Sequence, residues 1–338
     1  MRILYIDCFS GISGDMTIAA LVDAGANKAY IEQQLLKIDL EPYTLEWKTV
    51  VKCGITALKF NVIPSPAHPP VHHRHYSAIV DAIHKADFNE NVTRISLAIF
   101  KKIGLAEAKI HNIPLDNVHF HEVGAIDSIV DVVGTALALD SLQIEKVISA
   151  HVPLGSGSVE CDHGFYPIPA PATLEMMKGL PIAPTPFLKE MTTPTGAGII
   201  STLAEEFMRG LPTMVIESIG YGAGTRDLPQ HPNVLRVIVG EADEQVQQWQ
   251  LPHPHAHEDH VNHEQVHEHS HSHEYEHGHK HIHEHSHNHE HGHSHEDGHK
   301  HSHEHNHEHN HEHNQEHDHS HEHSHIPKSP SEQAGHKH

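Results

Sequence analysis

The sequence predicts an α/β or α+β globular domain over residues 1–250, followed by a disordered histidine-rich tail over residues 251–338. Two facts of composition and one of pattern lead there. Of the 45 histidines, 34 fall after residue 251 and 11 before it, so two different kinds of sequence are joined end to end. The first 251 residues alternate strand-like and helix-like apolar segments and are long enough to bury a sizeable core. The remainder has almost no apolar side chains and cannot offset the conformational entropy of folding.

Taken in order, residues 3–6 read as a short buried strand. Asp7-Cys8-Phe9-Ser10-Gly11-Ile12-Ser13-Gly14-Asp15 follows as a loop with two glycines, then an amphipathic stretch ending at Gly25: strand, glycine loop, helix. Residues 28–38 suit a second helix. Residues 43–51 and 55–63 alternate around Cys53-Gly54, which predicts a hairpin. Residues 64–75 form a Pro/His loop carrying His68, His72, His73 and His75. Helical period returns over 77–86, 92–110 and 126–139, and residues 147–152 read as a strand. Prolines at 167, 169, 171, 181, 184 and 186 mark long loops around one short helix at 172–178. A helix is expected over 197–208 and strands over 213–219 and 234–239. Gly220-Tyr221-Gly222-Ala223-Gly224 reads as a glycine-rich turn between those strands.

Charge and cysteine content exclude several classes. Both parts are acidic, with 18 Lys and Arg against 28 Asp and Glu up to residue 251, and 4 against 17 beyond it. Phosphate-backbone binding draws on Lys and Arg, so nucleic acid is not an expected partner. Three cysteines, Cys8, Cys53 and Cys161, make no disulfide framework and have no CxxC spacing, which points to a reducing compartment. No segment approaches the roughly 18 apolar residues of a membrane span or the core of a signal peptide. The expected location is the cytoplasm.

The tail settles into near-alternation, as in His301-Ser302-His303-Glu304-His305-Asn306-His307. A purification tag would be a short uninterrupted run; here histidines alternate with Glu, Ser, Asn and Gly. Imidazole suits nickel, copper and zinc, and a flexible chain with a histidine at every second position can wrap several ions. His285, His287, His303, His305 and His307 are representative candidate ligands. Copper outranks nickel at such sites, so composition does not select the metal.

Within the globular part, His119-Phe120-His121-Glu122-Val123-Gly124-Ala125-Ile126-Asp127-Ser128-Ile129-Val130-Asp131 packs two histidines and three carboxylates into thirteen residues. Asp127 and Asp131 are one helical turn apart on one face, while an extended segment before Gly124 points His119 and His121 to one side. His119, His121, Asp127 and Asp131 are candidate metal ligands, and His121, Glu122 and Asp127 candidate catalytic groups. The alternative is that the acids only cap a helix. Cys161-Asp162-His163-Gly164 adds His163 as a further candidate ligand. Ser10, Gly11, Ser13, Gly14 and Asp15 could cradle an anion at a helix start, without the Gly-Lys-Ser/Thr ending of a P-loop. Thr193, Thr195 and Gly196 offer the same at a later helix, or simply cap it.

Together, Asp7-Cys8-Phe9-Ser10-Gly11-Ile12-Ser13-Gly14-Asp15-Met16, the His119 to Ser128 segment, Pro167-Ile168-Pro169-Ala170-Pro171-Ala172-Thr173 and Thr193-Pro194-Thr195-Gly196-Ala197 resemble the LarC family. The resemblance covers about residues 1–239. It implies a nickel chelatase (cyclometallase, lyase class) that inserts nickel into pyridinium-3,5-bisthiocarboxylic acid mononucleotide. The product is the nickel-pincer cofactor of lactate racemase, and the family uses CTP with Mn²⁺ or Mg²⁺. Two thiocarboxylate sulfurs and one ring carbon become nickel ligands, so a base beside the metal must take a ring proton. The family pattern continues into a carboxy-terminal, nucleotide-associated domain, whereas this sequence enters its histidine tail soon after residue 239. The missing part is therefore expected in trans, from a separate carboxy-terminal LarC polypeptide, or the chain is expected to be the amino-terminal product of a split gene or a translational frameshift. The rival reading is a non-enzymatic nickel metallochaperone or storage protein, and a third is a zinc or copper buffer.

Overall fold

A computed structural model describes residues 1–67, 74–120, 123–161 and 164–242. All lie in one compact unit, Met1–Asp259. The expected disorder of residues 251–338 falls outside the described residues.

In chain order the elements begin with β1 (Arg2–Asp7), α1 (Gly14–Asp23) and α2 (Lys28–Leu35), then the hairpin β2 (Tyr43–Lys52) and β3 (Ile55–Pro64). Next come β4 (Arg74–His75), α3 (Tyr76–Lys85), α4 (Glu90–His111), β5 (His119–Phe120) and α5 (Ile126–Leu142). β6 (Lys146–Ala150), β7 (Val152–Pro153), β8 (Gly157–Cys161), β9 (Gly164–Ile168) and α6 (Pro171–Met176) follow. The described part closes with β10 (Ile182–Ala183), α7 (Pro194–Leu203), β11 (Glu206–Met208), β12 (Val215–Ala223) and β13 (Val234–Glu241).

Among the described residues the largest sheet has seven strands in the order β11-β6-β1-β13-β12-β3-β2. Its pairings are mixed. β11 with β6, β6 with β1 and β12 with β3 run parallel, while β1 with β13, β13 with β12 and β3 with β2 run antiparallel. The domain is therefore a mixed α and β fold. Period-2 alternation sends Leu4 and Ile6 of β1, with Leu235, Val237 and Val239 of β13, into the main core. α1 lies on that face, packing on β12, β3 and β13, and α5 packs against α1, α2 and α4. α5 is apolar nearly all round, from Ile129 to Leu139, as expected for a helix inside a domain rather than on its surface.

Three expectations fail. The predicted helix over 197–208 begins at Pro194, with Thr193 as its cap, and ends at Leu203. Ala204 leaves the helix at ψ 116, and Glu206–Met208 becomes an edge strand on β6. The expected turn at Gly220-Tyr221-Gly222 is instead the interior of β12. The glycines there serve packing: a Cβ on Gly220 would sit 2.1 Å from Ala20 O, and one on Gly222 1.9 Å from Met16 O. They let α1 lie directly on the strand. The hairpin β8–β9 arises where only proline-rich loop was expected.

Candidate active site

Two helix starts, one strand and the first turns of α5 converge on a cavity of about 400 Å³. The starts of α1 and α7 are tied together. Ile12 bridges to Thr192, and the Thr193 N–H donates to Ile12 O at 3.1 Å. Gly196 makes the contact possible, since a Cβ there would lie 2.1 Å from Ile12 O. The cavity wall then includes Ser13, Gly14 and Asp15 from α1 and its cap, Lys59 from β3, Asp127 and Asp131 from α5, and Thr193 and Thr195 from α7.

The electrostatics of this wall are uneven. Asp15 stands in the first turn of α1, where the helix dipole favours it; it accepts the Ser13 hydroxyl and forms an ion pair with Lys59 Nζ. Lys59 is 8 % exposed, so its charge is held inside the protein beside that carboxylate. Asp131, one turn beyond Asp127 in α5, lies against α1. A Cβ on Gly14 would be 2.5 Å from Asp131 Cβ, so the glycine leaves the space that the carboxylate fills. Burial holds the Asp131 proton affinity well above the ordinary carboxylate range, and the nearby charges of Asp15 and Asp127 push it further. The Lys59 cation and a hydrogen bond from the Asp15 backbone act the other way without cancelling the rise.

The structure thus brings together Ser13, Gly14, Asp15, Asp127, Asp131, Thr193 and Thr195. Asp127 is exposed at the start of α5 and accepts the Ser128 N–H at 2.8 Å. The Thr193 hydroxyl caps α7, accepting the Gly196 N–H at 3.1 Å. Gly11 sits at φ +82 with its α-carbon pressed on Met191 O, and Ser10 lines a smaller adjoining cavity. His119 is exposed and lies ring to ring against His75 at a tilt, outside the cavity wall. His121, Glu122, His163 and the tail ligands His285, His287, His303, His305 and His307 lie outside the described residues. Among the described residues no group of three or more His, Cys, Asp or Glu is arranged to hold a metal. Sequence reasoning missed Lys59, Glu190 and Thr225 of the wall. A lysine flanked by the apolar Leu58 and Phe60 within the hairpin strand was the one available signal for Lys59.

Neighbouring groups are unsuited to nucleophilic chemistry. Ser10 Oγ lies 3.0 Å from His231 Nε2, but its proton goes to Pro232 O at 2.6 Å, so the imidazole has no hydroxyl proton to take. Burial pushes the Cys8 thiol up to about 12, which keeps it protonated and a poor metal ligand at neutral pH. No helix among the described residues is long and apolar enough to cross a membrane.

Comparison with known families then decides the assignment. The family described as "Nickel insertion protein" matches residues 4–272, more than half of the chain and the whole of the cavity wall. The chain belongs to the nickel insertion protein family. A relative in Geobacillus kaustophilus named pyridinium-3,5-bisthiocarboxylic acid mononucleotide nickel insertion protein is 55 % identical over 248 residues, covering 71 % of this chain and 60 % of the relative. Relatives of the same name in Clostridium kluyveri and Staphylococcus epidermidis are 46 % and 45 % identical, with 72 % of this chain covered in each. They are covered over 63 % and 60 % of their own lengths, so this member of the family spans about three fifths of those relatives. No solved structure matches it.

Proposed function

We propose that the cavity takes a pyridinium mononucleotide bearing two thiocarboxylates and inserts nickel into it. The relatives' names supply the substrate, and the observation that carries the reading for this chain is Asp131. A carboxylate of raised proton affinity in the cavity wall is a stronger base than a surface carboxylate, and carbon–nickel bond formation needs one. In the step proposed, the ring C–H bond breaks, its proton passes to Asp131, and the electron pair left on carbon forms the bond to Ni²⁺. The two thiocarboxylate sulfurs complete the chelate. Nickel is substrate here, so the lack of a preformed three-ligand cage among the described residues fits a site that must release the ion. Lys59 offsets the charge of Asp15, and the cationic pyridinium ring suits a wall that also carries Asp127 and Glu190. His121, as a candidate nickel ligand and catalytic group, and Glu122, as a candidate catalytic group, lie outside the described residues.

We further propose that CTP, with Mn²⁺ or Mg²⁺, acts through a carboxy-terminal polypeptide in trans, in the cytoplasm, with lactate racemase as recipient of the product. This makes the chain one component of a nickel chelatase of the lyase class.

The second reading, nickel storage, rests on the 34 histidines beyond residue 251. The two separate in one experiment. Deleting residues 251–338 should remove most of the nickel retained by the purified chain, measured by elemental analysis. It should slow cofactor formation only when nickel is scarce, because excess free metal replaces a reservoir. Equal loss of activity at saturating nickel would favour the tail as the working part.

A further inference from the structure

The cross-strand pair His75 and His119 lies outside the cavity and has no part in the chemistry above. β4 and β5 run antiparallel with His75 opposite His119 and Arg74 opposite Phe120. The Tyr76 N–H donates to Val118 O at 3.0 Å, one ladder bond at the next position along, 76 with 118, whose other N–H, that of Val118, goes to Leu115 O. Bonded and non-bonded pairs alternate along an antiparallel ladder, so 75 with 119 is a non-bonded pair. Side chains approach most closely at such positions, over Cα atoms about 4.5 Å apart. The imidazole rings meet accordingly, with centroids 3.6 Å apart and planes at 50°. Both residues are exposed, so burial of apolar surface does not account for the contact. A cross-strand pair of this kind contributes only about 0.2–1 kcal/mol on its own.

We infer that His75 and His119 form a two-nitrogen chelate for a divalent transition-metal ion of the nickel, copper and zinc group. Imidazole nitrogens sit about 2.0–2.1 Å from such ions, so two bound side by side lie roughly 3 Å apart. Rings already in contact reach that spacing by small side-chain rotations, with the backbone fixed in advance by the β4–β5 ladder. Two ligands leave the other coordination positions to water, and an ion so held exchanges readily. The place adjoins the cavity wall. Gly124, directly after the wall residue Val123, packs on this same ladder: a Cβ on it would be 2.8 Å from Phe120 O and 3.0 Å from Arg74 N. The chelate itself rests on strand register and ring contact, independently of the reaction proposed for the cavity.

The test is carbethoxylation of the full-length chain by diethyl pyrocarbonate, read peptide by peptide by mass spectrometry, with and without Ni²⁺ alone. The tail histidines fall in other peptides and do not obscure the two positions. Ni²⁺ should reduce modification of His75 and His119 together, by about fivefold or more once the pair is saturated, since a coordinated nitrogen cannot react. In His119→Ala the protection of His75 should vanish, and in His75→Ala that of His119. His119→Gln, checked by circular dichroism, substitutes if the alanine variant unfolds. Joint, mutually dependent protection supports the chelate. Protection of His75 that survives loss of the His119 ring, or none at nickel levels that protect the tail, overturns it. Because no pyridinium substrate is present, that failure would leave the cavity reading untouched.

Discussion

Replacing Asp131 by Asn should lower the rate of nickel incorporation by about 10²–10⁴-fold, the usual contribution of a general base. It should also raise the melting temperature at pH 7. The two effects share one cause. Asp131 holds its proton to higher pH in the folded chain than in the unfolded one, because burial and the Asp15 and Asp127 charges disfavour the carboxylate. Between the ordinary carboxyl value of 3.8 and the raised folded value, the native state binds more protons than the unfolded state. Stability must fall as pH rises through that window, and it is fullest below it. Asn carries no such cost and can still accept the hydrogen bond from the Asp15 backbone. The gap in melting temperature between variant and wild type should therefore widen from pH 4 to pH 7. Retained activity would remove Asp131 as the base, and a variant less stable at every pH would refute the buried-charge account.

A loss of similar weight, in stability, is expected from Arg74→Met. Arg74 and Glu41 form an ion pair with both side chains 8 % exposed, and Arg74 Nη1 also donates to Gly124 O at 2.6 Å. Glu41 Oε1 has no hydrogen-bond partner among the described residues. Removing the guanidinium strands a buried carboxylate, which costs about 3–5 kcal/mol. For a domain of this size that corresponds to a fall in melting temperature of roughly 6–20 °C. The double variant Arg74→Met with Glu41→Leu should recover much of it, because removing both charges leaves none buried alone. Thermal unfolding by circular dichroism of the single and double variants decides this. A single variant that melts within about 2 °C of wild type would mean that the pair is solvated.

What the sequence made legible was local. Alternation about Cys53-Gly54 gives β2 and β3, and both turn residues take positive φ, 47 and 85. Asp127 and Asp131 fall on one face of α5 because their four-residue spacing nearly matches the helical turn. The unread features depend on partners distant in sequence. Gly220 and Gly222 carry turn chemistry by residue type, yet their role is set by Met16 and Ala20 two hundred positions away. Glu206–Met208 continues an apolar helical pattern, but pairing with β6 draws it into the sheet. Lys59 belongs to the site only because β3 passes beside the start of α1. Ser13, Gly14, Asp15, Thr193 and Thr195 were identified as helix-start residues from each segment separately, whereas their common wall follows from the Ile12–Thr192 bridge.

The most direct measurement is a single-turnover assay with the full chain, Ni²⁺ and the pyridinium bisthiocarboxylate mononucleotide, with and without CTP, Mn²⁺ and the carboxy-terminal region of a longer relative. Product is read by mass spectrometry as the substrate plus one nickel with its ring proton lost. Formation of that species in the supplemented reaction, and its loss with Asp131→Asn, is the expected result. If nickel and substrate both bind in the supplemented reaction and the ring proton is retained, the cavity is not where nickel is inserted.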